Sequence, residues 1–401
     1  MRRSLQFQAL VAGALILTAC GSSPDGAPGG SQAATSTSPA PPAIVSPTLL
    51  DVGTFPTAPR PPLGPAGNPV SGAVADAQHM ADFVIGPWDV DENLIEPYLA
   101  TFYVLAGPQA LEQLGPVSIA EAAGRNGFVN GFASARQVKD KAVMINAVLR
   151  FADPAAAAAA SVAMGDASAK QPVKGVTPTV VPIPGHPAAV ASWYPFVAAG
   201  SAQTRATLRS FTPHGSYVLM QFVQSIDGVD AATGLVAKAI DAQGPAIDQF
   251  TPADPAAFAD VPLDPTGLLA RTLPATGPAT AKNAVYASRG ARHFQSNPVA
   301  SEDLFKGTGT TEVAMGDTNV YQAEDAGAAV DVVNSFNLEI SAAGTKAADP
   351  VKALPDSHCL ALPTGFYCVA PAGRFAIEAR GEQLLAAQQK LAAQYVMLTA
   401  K

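Results

Sequence analysis

Two cysteines near the carboxyl end bound the run Cys359-Leu-Ala-Leu-Pro363-Thr364-Gly365-Phe-Tyr-Cys368, two short β-prone stretches around a Pro-Thr-Gly turn. Pairing Leu362 with Gly365 sets Cys359 opposite Cys368 as a non-hydrogen-bonded pair, whose Cα atoms come close enough for a disulfide. A bulged turn with Gly365 in the left-handed region would instead put the thiols on opposite faces, so bridge and bulge are alternatives. A zinc site would need ligands beyond His358 and these two thiols. The other histidines are His79 on a helix face, His186 after a Pro-broken loop, His214 in a turn, and His293. His186 and His358 alone carry a positional argument, as strand-start residues held by a hydrogen bond. No G-x-S-x-G, H-E-x-x-H or G-x-G-x-x-G motif occurs, and Lys306-Gly-Thr-Gly-Thr310 has the wrong order for a phosphate loop. Asp89, Asp91, Glu92 and Glu96 surround Trp88 without EF-hand spacing and read as solvated acids at a helix start. No catalytic residue, metal ligand or cofactor is assigned, and no ligand-binding residue is singled out.

The elements that position these residues follow from periodicity and punctuation. Apolar residues at helical spacing from Val74 to Val84 give a helix that Gly86-Pro87 ends, and Ser118-Ile-Ala-Glu121 reads as a capping box opening a short helix. Residues 143–151 alternate with period two, with Asn146 and Arg150 on the second face, which reads as a half-buried strand. Asp153-Pro154 then caps an Ala-rich helix. Strands are expected at about 189–197, 204–212 and 216–225, followed by a helix from Ala231 to about Phe250. The second half repeats the plan: strand 318–323, Asp325 before the helix 326–336, the Cys hairpin, strand 374–379 and helix 382–398. One offset places Asp153 on Asp325, His186 on His358 and Tyr194 on Phe366, the pattern of a duplicated unit.

The amino terminus addresses the compartment. Met1-Arg2-Arg3 is a basic start, and the apolar stretch from Ala9 to Ala19 suits an export signal while being too short to span a bilayer. Leu17-Thr18-Ala19-Cys20-Gly21 resembles the bacterial lipobox, in which the Cys20 thiol is acylated and becomes the mature amino terminus. Two or more acyl chains hold stably in a membrane. Residues 21 to about 70 are rich in Gly, Ser, Pro, Ala and Thr, a composition that cannot bury enough apolar surface to offset chain entropy. They read as a tether reaching on the order of 100 Å. The fold class expected is therefore α+β: two tandem similar domains, 71–254 and 255–401, each an antiparallel sheet packed with helices, after a leader of 1–19 and a disordered tether of 20–70.

Charge removes one class of partner. The chain of 401 residues carries 24 Lys and Arg against 32 Asp and Glu, net −8, so no basic surface grips a nucleic acid. The lipobox, the Pro/Ala/Ser tether, Gly131-Phe132-Ala133-Ser134-Ala135-Arg136, the strand end Arg150-Phe-Ala-Asp153 and the late Cys pair together resemble mycobacterial and related actinobacterial lipoproteins of unknown function. That resemblance covers most of residues 75–401 and implies architecture without catalytic residues. A fainter resemblance is to extracellular sensor modules of mycobacterial receptor kinases, in which a capped Ala-rich helix packs on a sheet. The expectation is an exported lipoprotein on the outer face of the cell membrane, a non-enzymatic module that binds an envelope ligand or protein. The alternative is an envelope hydrolase or esterase of unrecognised type.

Overall fold

The computed structural model describes residues 45–400 apart from 199, 201, 278–280 and 355. The leader, Cys20 and the first part of the tether lie outside the described residues. The first repeat runs α1 (Pro69–Met80), β1 (Glu96–Leu105), α2 (Val117–Arg125), β2 (Phe128–Val138), β3 (Ala142–Phe151), α3 (Pro154–Ala169), β4 (Thr179–Val180), β5 (Val190–Val197), β6 (Thr204–His214), β7 (Tyr217–Ser225) and α4 (Val229–Ile247). The second runs β8 (Ala284–Ala287), α5 (Ser288–Ala291), α6 (Pro298–Gly307), β9 (Glu312–Met315), β10 (Thr318–Gln322), α7 (Ala326–Ala342), β11 (Lys346–Ala348), β12 (His358–Leu362), β13 (Gly365–Ala372), β14 (Phe375–Gly381) and α8 (Leu384–Thr399).

The described strands form two sheets of seven, ordered β1-β2-β3-β7-β6-β5-β4 and β8-β9-β10-β14-β13-β12-β11. Each strand pairs with its neighbours antiparallel, and the two orders are the same plan read in chain sequence. Helices hold equal places as well: Asp153 and Asp325, each in extended backbone, accept from Ala156 and Ala328 backbone N–H at 2.8 Å and start α3 and α7. Equivalent two-residue turns close β6–β7 and β13–β14, with Gly215 and Gly373 both in the left-handed region.

The histidine correspondence is corrected. From the shared turns outward, the register puts Val190 of β5 where β12 has His358, while His186 lies in a turn before β5. A single offset fails because β5 and β6 are 8 and 11 residues long against 5 and 8 for β12 and β13.

Three further expectations change. β3 is buried on both faces, since α2 and α3 cover one and α1 and α4 the other, so Asn146 and Arg150 are interior: Asn146 bonds Gln243 and Arg150 bonds Asp76 at 3.0 Å. Ser118 is not a cap, because α2 starts one residue earlier behind Pro116 and the Ser118 hydroxyl has no partner. Residues 45–68, assigned by composition to the tether, form a strap on the folded body. Val45 N–H donates to the Tyr395 hydroxyl on α8 at 3.0 Å, Leu50 is buried in the second repeat's outer core, and Arg60 donates to Leu269 O at 2.6 Å. Scattered apolar residues among the prolines give the strap its grip, a signal that average composition hides.

The Cys hairpin forms in the unbulged register, Leu362 with Gly365 and Cys359 with Cys368, and the two sulfurs are bridged with Cα atoms 4.2 Å apart. Gly365 sits at φ 122°, and a Cβ there would lie 2.5 Å from Gly381 O, so only glycine fits.

Candidate functional site

One apolar cluster runs from the α1 and α4 face of the first sheet into the α7 face of the second, so the repeats join through unlike faces of the shared plan. The seam is built by the segment from β8 to α6. Asp82 of the first repeat accepts from Gly290 N–H at 2.8 Å and Ala287 N–H at 3.4 Å, capping α5 across the repeats. Burial raises the Asp82 carboxyl to about 6, with these hydrogen bonds and nearby Arg289 acting against it.

β2 alternates Phe132, Ser134 and Arg136 toward the seam with Ala133 and Ala135 toward α2 and α3. Arg136, only 1% exposed, donates to the carbonyls of Ile95, His293 and Gln295 at 3.1, 2.8 and 2.9 Å. Burial lowers it to about 10, which still leaves it charged at neutral pH. The guanidinium carbons of Arg136 and Arg292 lie 5.4 and 5.5 Å from the centre of the Trp88 ring. His293 packs at 5.3 Å on the same ring, and burial depresses its pKa to about 3. Neutral, it donates from Nε2 to the Ala81 and Val84 carbonyls, both 3.1 Å away, and its Nδ1 accepts from the Ser134 hydroxyl at 2.9 Å. A Ser–His pair with this geometry suggests nucleophilic chemistry, but both side chains are sealed inside the seam where no substrate reaches them.

Beside this hub opens a cleft of about 520 Å³ lined by Asp89 of the first repeat and by Arg289, Arg292, Glu302, Lys306 and Thr310 of the second. Arg292 is satisfied: it meets Glu302 at 2.7 Å and Asp89 at 3.6 Å, and its Nε donates to Pro298 O at 3.0 Å. Arg289 and Lys306 reach the opening exposed. The Lys306-Gly-Thr-Gly-Thr310 run that fails as a phosphate loop therefore lines a cleft. Its amides cannot cradle an anion, since Thr308, Gly309, Thr310 and Thr311 N–H already bond Leu304, Lys306, Phe305 and Gln322 carbonyls. Any anion held here is held by side chains.

The remaining sequence candidates scatter. His186 pairs with the exposed Asp241 at 3.2 Å, and His214, which ends β6, pairs with Asp248 at 2.7 Å. His79 borders a separate opening of about 580 Å³ beside Asp76 and Phe250, where burial lowers its pKa. The acids around Trp88 disperse: Asp91 accepts from Asn93, Glu96 from Lys139 N–H, and Asp89 from Gly86 N–H while facing Arg292. Among the described residues no group of His, Cys, Asp and Glu converges as metal ligands. Sequence reasoning missed Arg289 and Arg292, which no local motif marks, and it met Arg136 only as the end of the Gly131–Arg136 run, without a role.

Residues 63–263 match the N-terminal domain of unknown function DUF7373, and residues 268–401 match its C-terminal domain. The extracellular domain of PknH from Mycobacterium tuberculosis aligns at 14% identity with a TM-score of 0.28, covering 41% of this chain and 93% of that one. No curated protein matches the chain. Among the described residues no helix is long and apolar enough to cross a membrane.

Proposed function

The chain belongs to the DUF7373 family, and from that premise we propose that it is a lipid-anchored, extracytoplasmic binding module that takes an anionic group of an envelope ligand in the cleft at its seam. One observation carries the reading: on a chain of net charge −8, the exposed cations Arg289 and Lys306 meet at a cleft between two repeats, where ligand sites concentrate. Arg292 is already neutralised by Glu302 and Asp89, so it orients the wall, and Arg289 and Lys306 do the binding. Among the described residues a hydrolase reading has the Ser134–His293 pair to support it, and the burial of that pair counts against it.

Anchoring rests on Cys20 in its lipobox-like run, behind a basic start and a short apolar stretch. Cys20→Ser should move the protein from the detergent phase to the aqueous phase, and a mutant that stays with detergent would refute the anchor. For the cleft, inorganic phosphate titrated into the full chain should bind in the millimolar range. Arg289→Glu with Lys306→Glu should abolish that binding while the chain still folds cooperatively, since both side chains are exposed and the charge beside Asp82 and Asp89 changes without a core contact being lost. Undiminished phosphate binding by the double variant would overturn the assignment.

A further inference from the structure

The two copies of the fold differ at one place in a way that points to a second, separate site. Aligning the Gly215 turn on the Gly373 turn places Arg209 on Tyr367, Phe222 on Arg380 and Met220 on Glu378. Both copies thus set an arginine against an aromatic ring across equivalent strand pairs, with the partners exchanged: Arg209 lies 4.7 Å from the Phe222 ring and Arg380 lies 5.5 Å from the Tyr367 ring. In the second copy the protein supplies a carboxylate there. Glu378 accepts from the Tyr367 hydroxyl at 2.8 Å and from the Tyr321 hydroxyl.

The first copy lacks the acid, and by the same register Arg209 and Leu149 stand where the second copy has Tyr367 and Tyr321. Met220 stands where Glu378 would be, and among the described residues no carboxylate pairs with Arg209. Its guanidinium has the Tyr194 hydroxyl and a long contact to Leu114 O, 3.4 Å, and its Nε is left without a partner. Nearby Arg205 also has an unpartnered Nε, and its nearest acid, the exposed Asp140, is 3.8 Å away. A guanidinium taken largely out of water with no anion is costly unless a ligand completes it. Tyr98 stands beside both arginines and Tyr194, on an edge strand whose pairing breaks between Pro97 and Phe102. That break holds Leu99 at φ 50° and Thr101 at φ 65°, conformations unfavourable for a branched residue and concentrated at binding sites. Leu99 projects 68% exposed beside the cluster.

We propose that the first repeat binds a small organic carboxylate at Arg209, with the Tyr98 and Tyr194 hydroxyls as further donors and the Phe222 side of the cluster as an apolar bed. Arg209 takes the carboxylate in the fork geometry that guanidinium groups favour, and Tyr98 and Tyr194, from other positions, offer phenol donors of the kind that Glu378 accepts in the second copy. The site lies on the α2 and α3 side of its sheet and shares no residue with the seam cleft, so it stands or falls independently of that reading.

The test uses the full chain with sodium benzoate as the probe and benzyl alcohol as the neutral control, followed by the arginine Nε–H resonances in ¹⁵N spectra. Millimolar benzoate should move the Arg209 signal, and benzyl alcohol should not. Arg209→Lys should weaken benzoate binding roughly tenfold through loss of the bidentate fork. Tyr98→Phe, a milder change on a partly exposed side chain, should weaken it severalfold, and it decides the matter if Arg209→Lys fails to fold. Equal shifts with benzyl alcohol, no shift with benzoate, or unchanged affinity in Tyr98→Phe would overturn the proposal. Arg289→Glu with Lys306→Glu should leave benzoate binding intact, which keeps the two sites distinguishable.

Discussion

His293 and Asp82 hold the seam from opposite repeats and titrate in opposite senses. Burial depresses the folded-state pKa of His293 from 6.5 to about 3, so below pH 6.5 the unfolded chain takes a proton that the folded chain refuses. Stability from this group is full above about 6.5 and drains as the pH falls toward 3. Burial raises Asp82 from 3.8 to about 6, so its stabilising contribution is full below 3.8 and is lost as the pH rises through 6. Between about pH 4 and 6 the two slopes, each up to about 1.4 kcal/mol per pH unit, offset each other. Relative to the parent chain, Asp82→Asn should therefore lose stability as the pH drops from 6 to 4, and His293→Gln should gain it. Urea midpoints across that range check both, and parallel profiles for the two variants would contradict the assignment. Neither residue was legible beforehand. The partners of His293 lie 159, 209 and 212 residues away, and no period or motif reports a contact made only by folding.

At the scale of elements, local chemistry was legible where one residue decides the backbone. Asp153-Pro154 and Asp325 announced α3 and α7 because an extended aspartate before an Ala-rich run has few other uses. Asp153→Ala and Asp325→Ala should each cost about 1 kcal/mol, whereas Ser118→Ala should stay within about 0.5 kcal/mol because that hydroxyl caps nothing. Chemical denaturation of the three variants separates a cap from a look-alike. The Cys hairpin was equally legible, since a two-residue turn fixes register. Replacing Cys359 and Cys368 by Ala should cost roughly 2 to 3 kcal/mol, less if the hairpin persists in the unfolded chain. Strands β1, β2, β4, β8, β9 and β11 were missed for physical reasons: β2 is buried on both faces and so shows no alternation, and β4 and β11 have two and three residues. β1 contains Pro97 and a broken register, and β8 and β9 are four residues each, too short to show a period.

For the whole molecule, the duplication was readable as a plan but not as a residue alignment, because the copies differ in strand length between β5 and β6 and between β12 and β13. How the copies dock was not readable at all: the seam depends on close approaches such as Gly290, where an added Cβ would lie 2.2 Å from Asp82 Oδ1. Gly290→Ala should destabilise the joint by about 1 to 3 kcal/mol and speed proteolysis of the 251–268 connection, with each sheet's own circular dichroism retained. Limited digestion against the parent chain checks it. For an anchor at Cys20, as proposed above, the strap also revises the expected reach. From Cys20 to Val45 the chain spans at most about 90 Å, not the greater length that a free segment to residue 70 would give. Because the strap meets α8 before the chain reaches α1, a pull on the amino end is delivered to the last helix of the second repeat. The strap's contacts lie in a row along residues 45–65, so they yield one after another, as tape peels, and lengthen the leash while both sheets stay whole. Under the proposed anchoring, drag would be met by a gradual payout of chain, and the load would reach the sheets only after the strap is gone.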